Sequence, residues 1–126
     1  MIFREYYSQI EAIIKDCPMV TDFSINFDEI DINLGYLKGK LELIDGSILF
    51  FIEYVEIKDN IVYRQKYKYQ WQFENGDMII RWDNVPHHKE MDTFPHHMHN
   101  DKGVYPSSDM NLKSVIDIIV DKLIPF

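Results

Sequence analysis

Four segments rich in aromatic and β-branched residues, joined by short turns, limit what this chain can fold into. Such segments favour β-strands, and they span residues 36–43, 48–57, 61–73 and 77–83. The turns between them contain dipeptides typical of tight hairpins, which are Asp45-Gly46, Asp59-Asn60 and Asn75-Gly76. A weaker strand is predicted over 23–34. Because each hairpin reverses the chain, we predict an antiparallel β-meander of four to five strands.

An amphipathic helix is predicted at each end of the chain. Apolar residues recur at steps of three and four from Phe3 to Cys17 and again from Leu112 to Leu123. Pro18 is expected to end the first helix, and Ser108 or Asp109 to cap the second. We therefore predict an α+β fold in one domain, 1–126. Its expected parts are a helix at about 3–17, a sheet at about 23–83, a loop at about 84–107 and a helix at about 109–124.

The charge, cysteine content and hydropathy of the chain disfavour general nucleic-acid binders, disulfide-bonded proteins and membrane-spanning proteins. The formal net charge is -8, and an acidic chain does not attract polyphosphate as a whole. Any activity on RNA would therefore need a locally basic surface. The single cysteine, Cys17, precludes an internal disulfide and is expected in a reducing cytoplasm. No apolar run approaches the about 18 residues of a membrane span, and no signal peptide is recognisable. We expect a cytoplasmic protein.

Two-residue turns would fix the register of the sheet and the side chains on each face. That register predicts five cross-strand pairs: Lys38–Glu53, Glu53–Lys66, Val55–Arg64, Gln70–Arg81 and Lys68–Asp83. One face then carries Lys38, Lys40, Glu53, Arg64, Lys66, Lys68, Arg81 and Asp83. The other face, expected to pack on the helices, carries Leu41, Phe50, Ile52, Tyr67, Tyr69, Trp71, Ile80 and Trp82. The first face is thus predicted to be basic, with Glu53 as a central carboxylate paired to Lys38, Lys66 or Arg81; a merely solvated surface is the alternative.

All five histidines follow the strand that carries Arg81 and Asp83. They are His87, His88, His96, His97 and His99. Their segment contains prolines and lacks apolar periodicity, so it is predicted to be a loop, and loops this long are usually functional. Imidazole can transfer protons or bind metals near neutral pH. We therefore expect the chemical centre of the protein in this segment.

Two chemistries fit these residues. In the first, histidines act as general base and general acid while Arg81 holds a phosphate, and Asp83 or Glu53 orients an imidazole. Such a set suffices for cleavage of RNA without a metal. In the second, His97, His99 and His87 bind a divalent transition metal such as zinc, and an Asp or Glu completes or orients the shell. His97 and His99 would share one face of an extended segment, which is usable ligand spacing.

The histidine segment also resembles a known family. The string Arg81-Trp82-Asp83-Asn84-x-Pro86-His87-His88, followed by Thr93-Phe94-Pro95-His96-His97-x-His99, is similar to the signature of the TumE-like toxins of type II toxin–antitoxin systems. Upstream agreement comes from Gly39-Lys40-Leu41, Asp45-Gly46-Ser47, Leu49, Glu53, Tyr67 and Tyr69. With the C-terminal helix, the resemblance covers about residues 30 to 124. It implies a growth-inhibiting toxin that pairs with a helix-turn-helix antitoxin.

Our primary hypothesis from the sequence is a metal-independent ribonuclease toxin that uses no cofactor. Its predicted catalytic residues are His87, His88, His96, His97, His99, Arg81, Asp83 and Glu53. Its predicted RNA-binding residues are Arg81, Lys38, Lys66 and Lys68. A metal-binding hydrolase and a non-catalytic protein-binding module are the alternatives. The open edges of the sheet make a homodimer a further hypothesis.

Overall fold

The computed structural model describes residues 1–86 and 93–124, which form two helices and seven strands. In chain order these are α1 (Phe3–Lys15), β1 (Val20–Asp31), β2 (Leu34–Leu43), β3 (Ile48–Lys58), β4 (Ile61–Gln72), β5 (Met78–Asp83), β6 (His97–Asn100), β7 (Gly103–Pro106) and α2 (Leu112–Leu123). Each strand pairs antiparallel with the next. The predicted α+β meander between two helices is confirmed, with seven strands in place of four or five.

The helix ends differ slightly from the predicted ones. Helix α1 ends at Lys15 because Pro18 disfavours a helical backbone at the residue before it, Cys17. Helix α2 is capped by Asn111, whose side-chain oxygen accepts a hydrogen bond from the Ser114 N–H at 2.8 Å. The predicted caps Ser108 and Asp109 were wrong, since Asn111 directly precedes the first buried residue of the helix.

The register between β2 and β3 differs from the prediction by one residue. The Leu43 N–H donates to the Ser47 carbonyl, so three residues form the loop, and Gly46 adopts a φ of 88°. A three-residue loop of this kind is a standard hairpin connection with a glycine in the left-handed region. Consequently Lys38 pairs with Ile52, and Leu37 pairs with Glu53. The predicted pairing of Lys38 with Glu53 was wrong.

A β-bulge changes the register again between β3 and β4. The Asp59-Asn60 turn has two residues, both with positive φ, and Val55 pairs with Arg64 as predicted. Beyond the shift at Tyr54 and Val55, Glu53 pairs with Tyr67, so the predicted pairing with Lys66 was wrong. An extra residue in one strand displaces every later pair. Between β4 and β5, the predicted pairs Lys68–Asp83 and Gln70–Arg81 are both confirmed.

These registers determine the two faces of the sheet. The face that packs on the helices carries Leu37, Leu41, Phe51, Glu53, Val55, Arg64, Tyr67, Tyr69, Trp71, Ile80 and Trp82. The opposite face, here called the outer face, carries Lys38, Lys40, Phe50, Ile52, Lys66, Lys68, Gln70, Arg81 and Asp83. Strand β3 is therefore inverted relative to the prediction. Glu53 and Arg64 face the helices, whereas Phe50 and Ile52 lie on the outer face.

The two helices cover the face of the sheet opposite to the outer face. Helix α1 buries Phe3, Tyr6, Ile10 and Ile14, and helix α2 buries Leu112, Val115, Ile116 and Ile119. These side chains join the apolar residues of the strands in one core. No helix in the described ranges is long and apolar enough to cross a membrane.

The predicted long loop contains a hairpin. Within 84–107, residues His97–Asn100 and Gly103–Pro106 form β6 and β7, and β6 extends the sheet beside β5. The alternation in His97-Met98-His99 is the short period-two signal of a strand. The prediction of a structureless loop was wrong for this part, and residues 87–92 lie outside the described ranges, as does Pro125.

Gly39 provides a test of the packing between β2 and its neighbours. A Cβ atom at this position would lie 2.5 Å from the Phe51 ring and 2.7 Å from the Ile25 side chain. We expect Gly39→Ala to lower the free energy of unfolding by about 1–3 kcal/mol, because overpacking forces side chains and backbone to move. Denaturant unfolding measures the change. Lys102→Ala, at the exposed β6–β7 turn, is the control and should change stability by less than about 0.5 kcal/mol; equal stability of both variants would contradict the packing.

Candidate functional site

Four polar side chains of the predicted site meet where β5 and β6 pair. Asp83 pairs with His97, and Arg81 pairs with His99. Since alternate residues of a strand share a face, all four side chains lie together on the outer face. The predicted arrangement of His97 and His99 on one side of an extended segment is confirmed. Arg81, Asp83, His97 and His99 are here called the β5–β6 cluster.

The Asp83 carboxylate is the centre of this cluster. Its Oδ1 lies 2.7 Å from His97 Nε2, and its Oδ2 lies 3.3 Å from His99 Nε2. Arg81 Nε donates a hydrogen bond to the same Oδ2 at 3.1 Å. Asp83 and His97 are almost fully buried, at 1% exposure each. A carboxylate this deep requires partners that compensate its charge, and Arg81 supplies a permanent one.

Hydrogen bonds define which ring nitrogens carry protons. His97 Nδ1 lies 2.9 Å from the Pro95 carbonyl, which can only accept, so the proton is on Nδ1. A neutral His97 would then direct the Nε2 lone pair at the Asp83 carboxylate. The short distance to Asp83 therefore fits a doubly protonated His97, or a cation held between the two groups.

His99 contacts both Arg81 and Asp83 through its Nε2 atom. The Arg81 guanidinium, which has no acceptor atom, lies 3.2 Å from His99 Nε2 through its Nη2. With the lone pair on Nε2, His99 accepts this bond; with a proton there, the same nitrogen faces Asp83 Oδ2 at 3.3 Å. The side chains of Arg81 and His99 are 31% and 12% exposed. A ligand on the outer face can therefore reach a guanidinium and an imidazole nitrogen that lie side by side.

His96 lies apart from the β5–β6 cluster. Its Nδ1 is 2.7 Å from the Tyr67 hydroxyl and 3.9 Å from a carboxylate oxygen of Asp109, and its ring stacks on Tyr67 with centroids 5.8 Å apart. Tyr67 belongs to the face that packs on the helices, so His96 points away from His97. Burial raises the pKa of Tyr67 to about 12, which keeps its hydroxyl protonated at neutral pH. His87 and His88, also predicted as catalytic, lie outside the described residues.

Glu53 is not part of the cluster either. It is fully buried on the helix side of the sheet, where the hydroxyls of Tyr6 and Tyr69 donate to its two carboxylate oxygens, the latter at 2.5 Å. Burial raises the pKa of Glu53, although both tyrosine hydrogen bonds and the Arg64 charge oppose this shift. Its predicted partners Lys38, Lys66 and Arg81 lie on the outer face. The one-residue register difference in β3 separates Glu53 from them.

Two groups that position the cluster could not be foreseen as such from the sequence. The Pro95 carbonyl orients His97, as described above. Asn84 accepts a hydrogen bond from the Tyr67 N–H at 2.8 Å and donates to the Gln65 carbonyl at 3.0 Å. These bonds hold the chain against β4 just after it leaves Asp83. The available signal was an asparagine directly after a strand, because short amide side chains often bond to nearby backbone.

The cluster also has the donor set of a metal site. One ligand atom each from Asp83, His97 and His99 lies within 4.8 Å of the others. Two imidazoles and a carboxylate suit zinc or a similar ion, and a carbonyl that accepts from the second ring nitrogen is the usual support of a metal-bound histidine. Asp83 fits the carboxylate expected to complete or orient the shell, and His87, the third predicted imidazole, lies outside the described residues. The Arg81 guanidinium opposes this use, because it is positively charged and bonds to the same His99 nitrogen that a metal would need.

The three predicted RNA-binding lysines share the outer face with the cluster. Lys68 lies directly opposite Asp83 across β4 and β5. Lys38 lies in the same row two strands further away, with Ile52 between them. Lys66 is two residues before Lys68 on β4.

Comparison with known protein families identifies a match over most of the chain. The family described as Toxin TumE matches residues 10–123 of the chain. Neither a curated protein nor a solved structure shows significant similarity. The family match covers the sheet, the β5–β6 cluster, all of α2 and the second half of α1, from Ile10.

The buried Glu53 leads to a pH-dependent prediction. Its pKa is raised in the folded protein above the usual value of 4.5, so the folded state binds a proton more tightly than the unfolded state. The contribution of Glu53 to stability must therefore decrease as the pH rises through this range. Glutamine does not titrate, so the Glu53→Gln variant lacks this pH dependence. As the pH increases, we expect the free energy of unfolding of the parent to fall relative to that of Glu53→Gln.

Denaturant unfolding of both proteins from about pH 4 to about pH 8 tests this expectation. Glu74→Gln, at the exposed β4–β5 turn, is the matched control and should follow the parent at each pH. A difference that stays constant, or moves in favour of the parent as the pH rises, would contradict a raised pKa at Glu53.

Proposed function

The chain belongs to the TumE toxin family, and on this basis we propose that it is the toxin of a toxin–antitoxin pair and that it cleaves RNA at the β5–β6 cluster. The observation that supports cleavage is the pair formed by Arg81 and His99. A partly exposed guanidinium and an imidazole nitrogen lie 3.2 Å apart. Cleavage of RNA needs positive charge at the phosphate and a base near it, and this pair offers both.

The proposed reaction uses the nucleophile that RNA itself carries. Arg81 binds two oxygens of the scissile phosphate, a geometry that suits its planar guanidinium. Binding of the phosphate by Arg81 releases its bond to His99, and the unprotonated His99 Nε2 then accepts the proton of the neighbouring 2′-hydroxyl, whose oxygen forms a bond to phosphorus. The bond from phosphorus to the 5′-oxygen breaks, that oxygen takes a proton from a water molecule, and the resulting hydroxide takes the proton from His99. The products are a 2′,3′-cyclic phosphate and a 5′-hydroxyl end, with no change in oxidation state.

Asp83 and His97 act as positioning residues in this proposal. The Asp83 carboxylate holds the Arg81 guanidinium through Nε, which leaves the outer edge of the guanidinium for the phosphate. His97 lies 2.7 Å from Asp83 and is itself held by the Pro95 carbonyl. A protonated His97 balances the carboxylate charge. Arg81 therefore keeps an excess of positive charge for an anionic substrate.

A metal-dependent hydrolase is the second candidate. It is favoured by the convergence of Asp83, His97 and His99, which together would hold one divalent cation. Such an ion would supply Lewis-acid activation of the phosphate or of a bound water. We rank it second because the ion would have to displace Arg81 from His99 and would lie beside a fixed positive charge.

The antitoxin is the proposed protein partner. A toxin family implies a neutralising partner, and a helix-turn-helix protein is the partner class expected from the sequence resemblance. We propose that it acts by covering the outer face, which carries the cluster. Formation of a homodimer through the open edges of the sheet is a further hypothesis about a protein partner.

The catalytic proposal is tested with variants of the exposed pair. His99→Ala and Arg81→Ala should each reduce the rate of RNA cleavage by about 10²–10⁴-fold, the usual contribution of a general base or of a charge at the transition state. The measurement is cleavage of an end-labelled RNA, with identification of the cyclic phosphate. Lys122→Ala, on the exposed side of α2, is the control and should cleave as the parent does. Cleavage by His99→Ala at the parental rate would remove His99 from the mechanism.

The role of a metal is tested separately. We expect the purified protein to cleave RNA equally well with and without EDTA, because the primary mechanism uses only side chains. Elemental analysis of the same preparation reports any bound ion. About one equivalent of metal, lost together with cleavage on chelation and restored by zinc, would establish the second candidate instead.

A further inference from the structure

Three lysines on the outer face form no salt bridge with the acidic residues that the structure describes. Seven other lysine and arginine side chains form salt bridges: Arg4, Lys15, Lys40, Lys58, Arg64, Arg81 and Lys113. Within residues 1–86 and 93–124, Lys38, Lys66 and Lys68 form none, and all three are exposed. The chain has a net charge of -8, so acidic groups are plentiful. An uncompensated positive region on such a chain fits an anionic ligand.

These lysines border two adjoining cavities. A cavity of about 330 Å³ is lined by Lys38, Lys40, Phe50 and Ile52 among others, and one of about 550 Å³ by Tyr36, Tyr54, Lys66 and Pro86 among others. Ile52 and Lys68 line both. The two cavities together are here called the outer groove.

Exposed aromatic rings form part of its floor. The rings of Tyr36 and Tyr54 lie 4.6 Å apart at 33°, and Tyr36 is 39% exposed. Phe50 is 40% exposed, with the Lys40 ammonium 6.0 Å above its ring. Large exposed aromatic side chains in a basic groove are typical of surfaces on which nucleic-acid bases stack. Bases can reach such rings only when they are unpaired, so this surface favours single strands over duplexes.

The outer groove ends at the β5–β6 cluster. Lys68 lines the groove and lies opposite Asp83 in the sheet. Lys38 lies in the same row, two strand spacings or about 10 Å from Lys68. A nucleic-acid strand whose phosphates follow these lysines is therefore led towards Arg81 and His99.

We propose that the outer groove is a binding site for single-stranded RNA, with bases on Tyr36 and Tyr54 and phosphates on Lys38, Lys66 and Lys68. The position of the scissile bond beside this site rests on the proposed function. Binding itself does not, because it needs neither His99 nor Arg81. The groove thus selects the substrate, and the cluster acts on it.

Binding is measured with RNA that cannot be cleaved. The probe is a fluorescent 2′-O-methyl oligouridine, and a fully paired duplex of the same length is the comparison. The wild-type protein should bind the single strand about tenfold or more tightly than the duplex. Tyr36→Ala with Tyr54→Ala should weaken this binding about tenfold or more, whereas Tyr36→Phe with Tyr54→Phe, which keeps both rings, should preserve it.

The lysines are tested by the salt dependence of binding. Each phosphate contact to a single strand contributes about 0.7 to the slope of log affinity against log salt. Replacing Lys38, Lys66 and Lys68 by alanine should reduce this slope by about 2. The matched control is Lys102→Ala with Lys122→Ala, since these lysines also form no salt bridge in the described ranges but lie outside the groove. The control should keep the parental slope.

The outcomes separate this proposal from the cleavage proposal. Specific binding of the single strand without any cleavage of natural RNA would support the groove and reject the catalytic role of the cluster. Cleavage by the groove variants with an unchanged KM would reject the groove as the RNA site and support the catalytic role of the cluster. Equal affinity of parent and alanine variants would overturn the groove as an RNA site. A second outcome would also overturn it. If the alanine variants lost a complex with a co-expressed antitoxin but bound RNA as the parent does, the groove would be a protein interface.

Discussion

The cluster depends on the compensation of one buried carboxylate. Asp83 lies within 3.3 Å of nitrogens from Arg81, His97 and His99, and a charge at this depth would be very costly without them. The same contacts join the side chains of β5 to those of β6, so they tie the histidine hairpin to the sheet. They also leave the outer edge of the Arg81 guanidinium for a substrate, with His99 Nε2 3.2 Å from Arg81 Nη2. Structure and proposed chemistry thus share one interaction.

The sheet separates two buried carboxylates with opposite environments. Asp83 on the outer face is surrounded by cationic or potentially cationic groups. Glu53 on the helix side is held mainly by two tyrosine hydroxyls, and burial raises its pKa. Tyrosine hydroxyls donate to a carboxylate without balancing its charge. We therefore assign Glu53 a structural role in the packing of α1 on the sheet, and Asp83 a role in the functional site.

An acidic chain can present a basic surface when its cations are unevenly paired. Most described lysines and arginines lie near carboxylates, where their charge is largely balanced locally. Lys38, Lys66 and Lys68 lie together on the outer face, with no such partner among residues 1–86 and 93–124. The potential that steers a charged ligand depends on this local distribution rather than on net charge. The net charge of -8 thus excludes general attraction to nucleic acid and still allows a site for it.

The sequence by itself determined the meander, the two helices and the meeting of His97 and His99 on one face, because period-two and period-3.6 patterns and turn dipeptides are local signals. It also predicted the pairs Lys68–Asp83 and Gln70–Arg81 correctly. Only the tertiary structure decided the orientation of β3, because a three-residue loop at Gly46 and a bulge near Val55 shift the register by single residues. One such shift moves a whole strand's side chains to the other face. It placed Glu53 with the tyrosines of the core and left Asp83 alone as the carboxylate of the cluster.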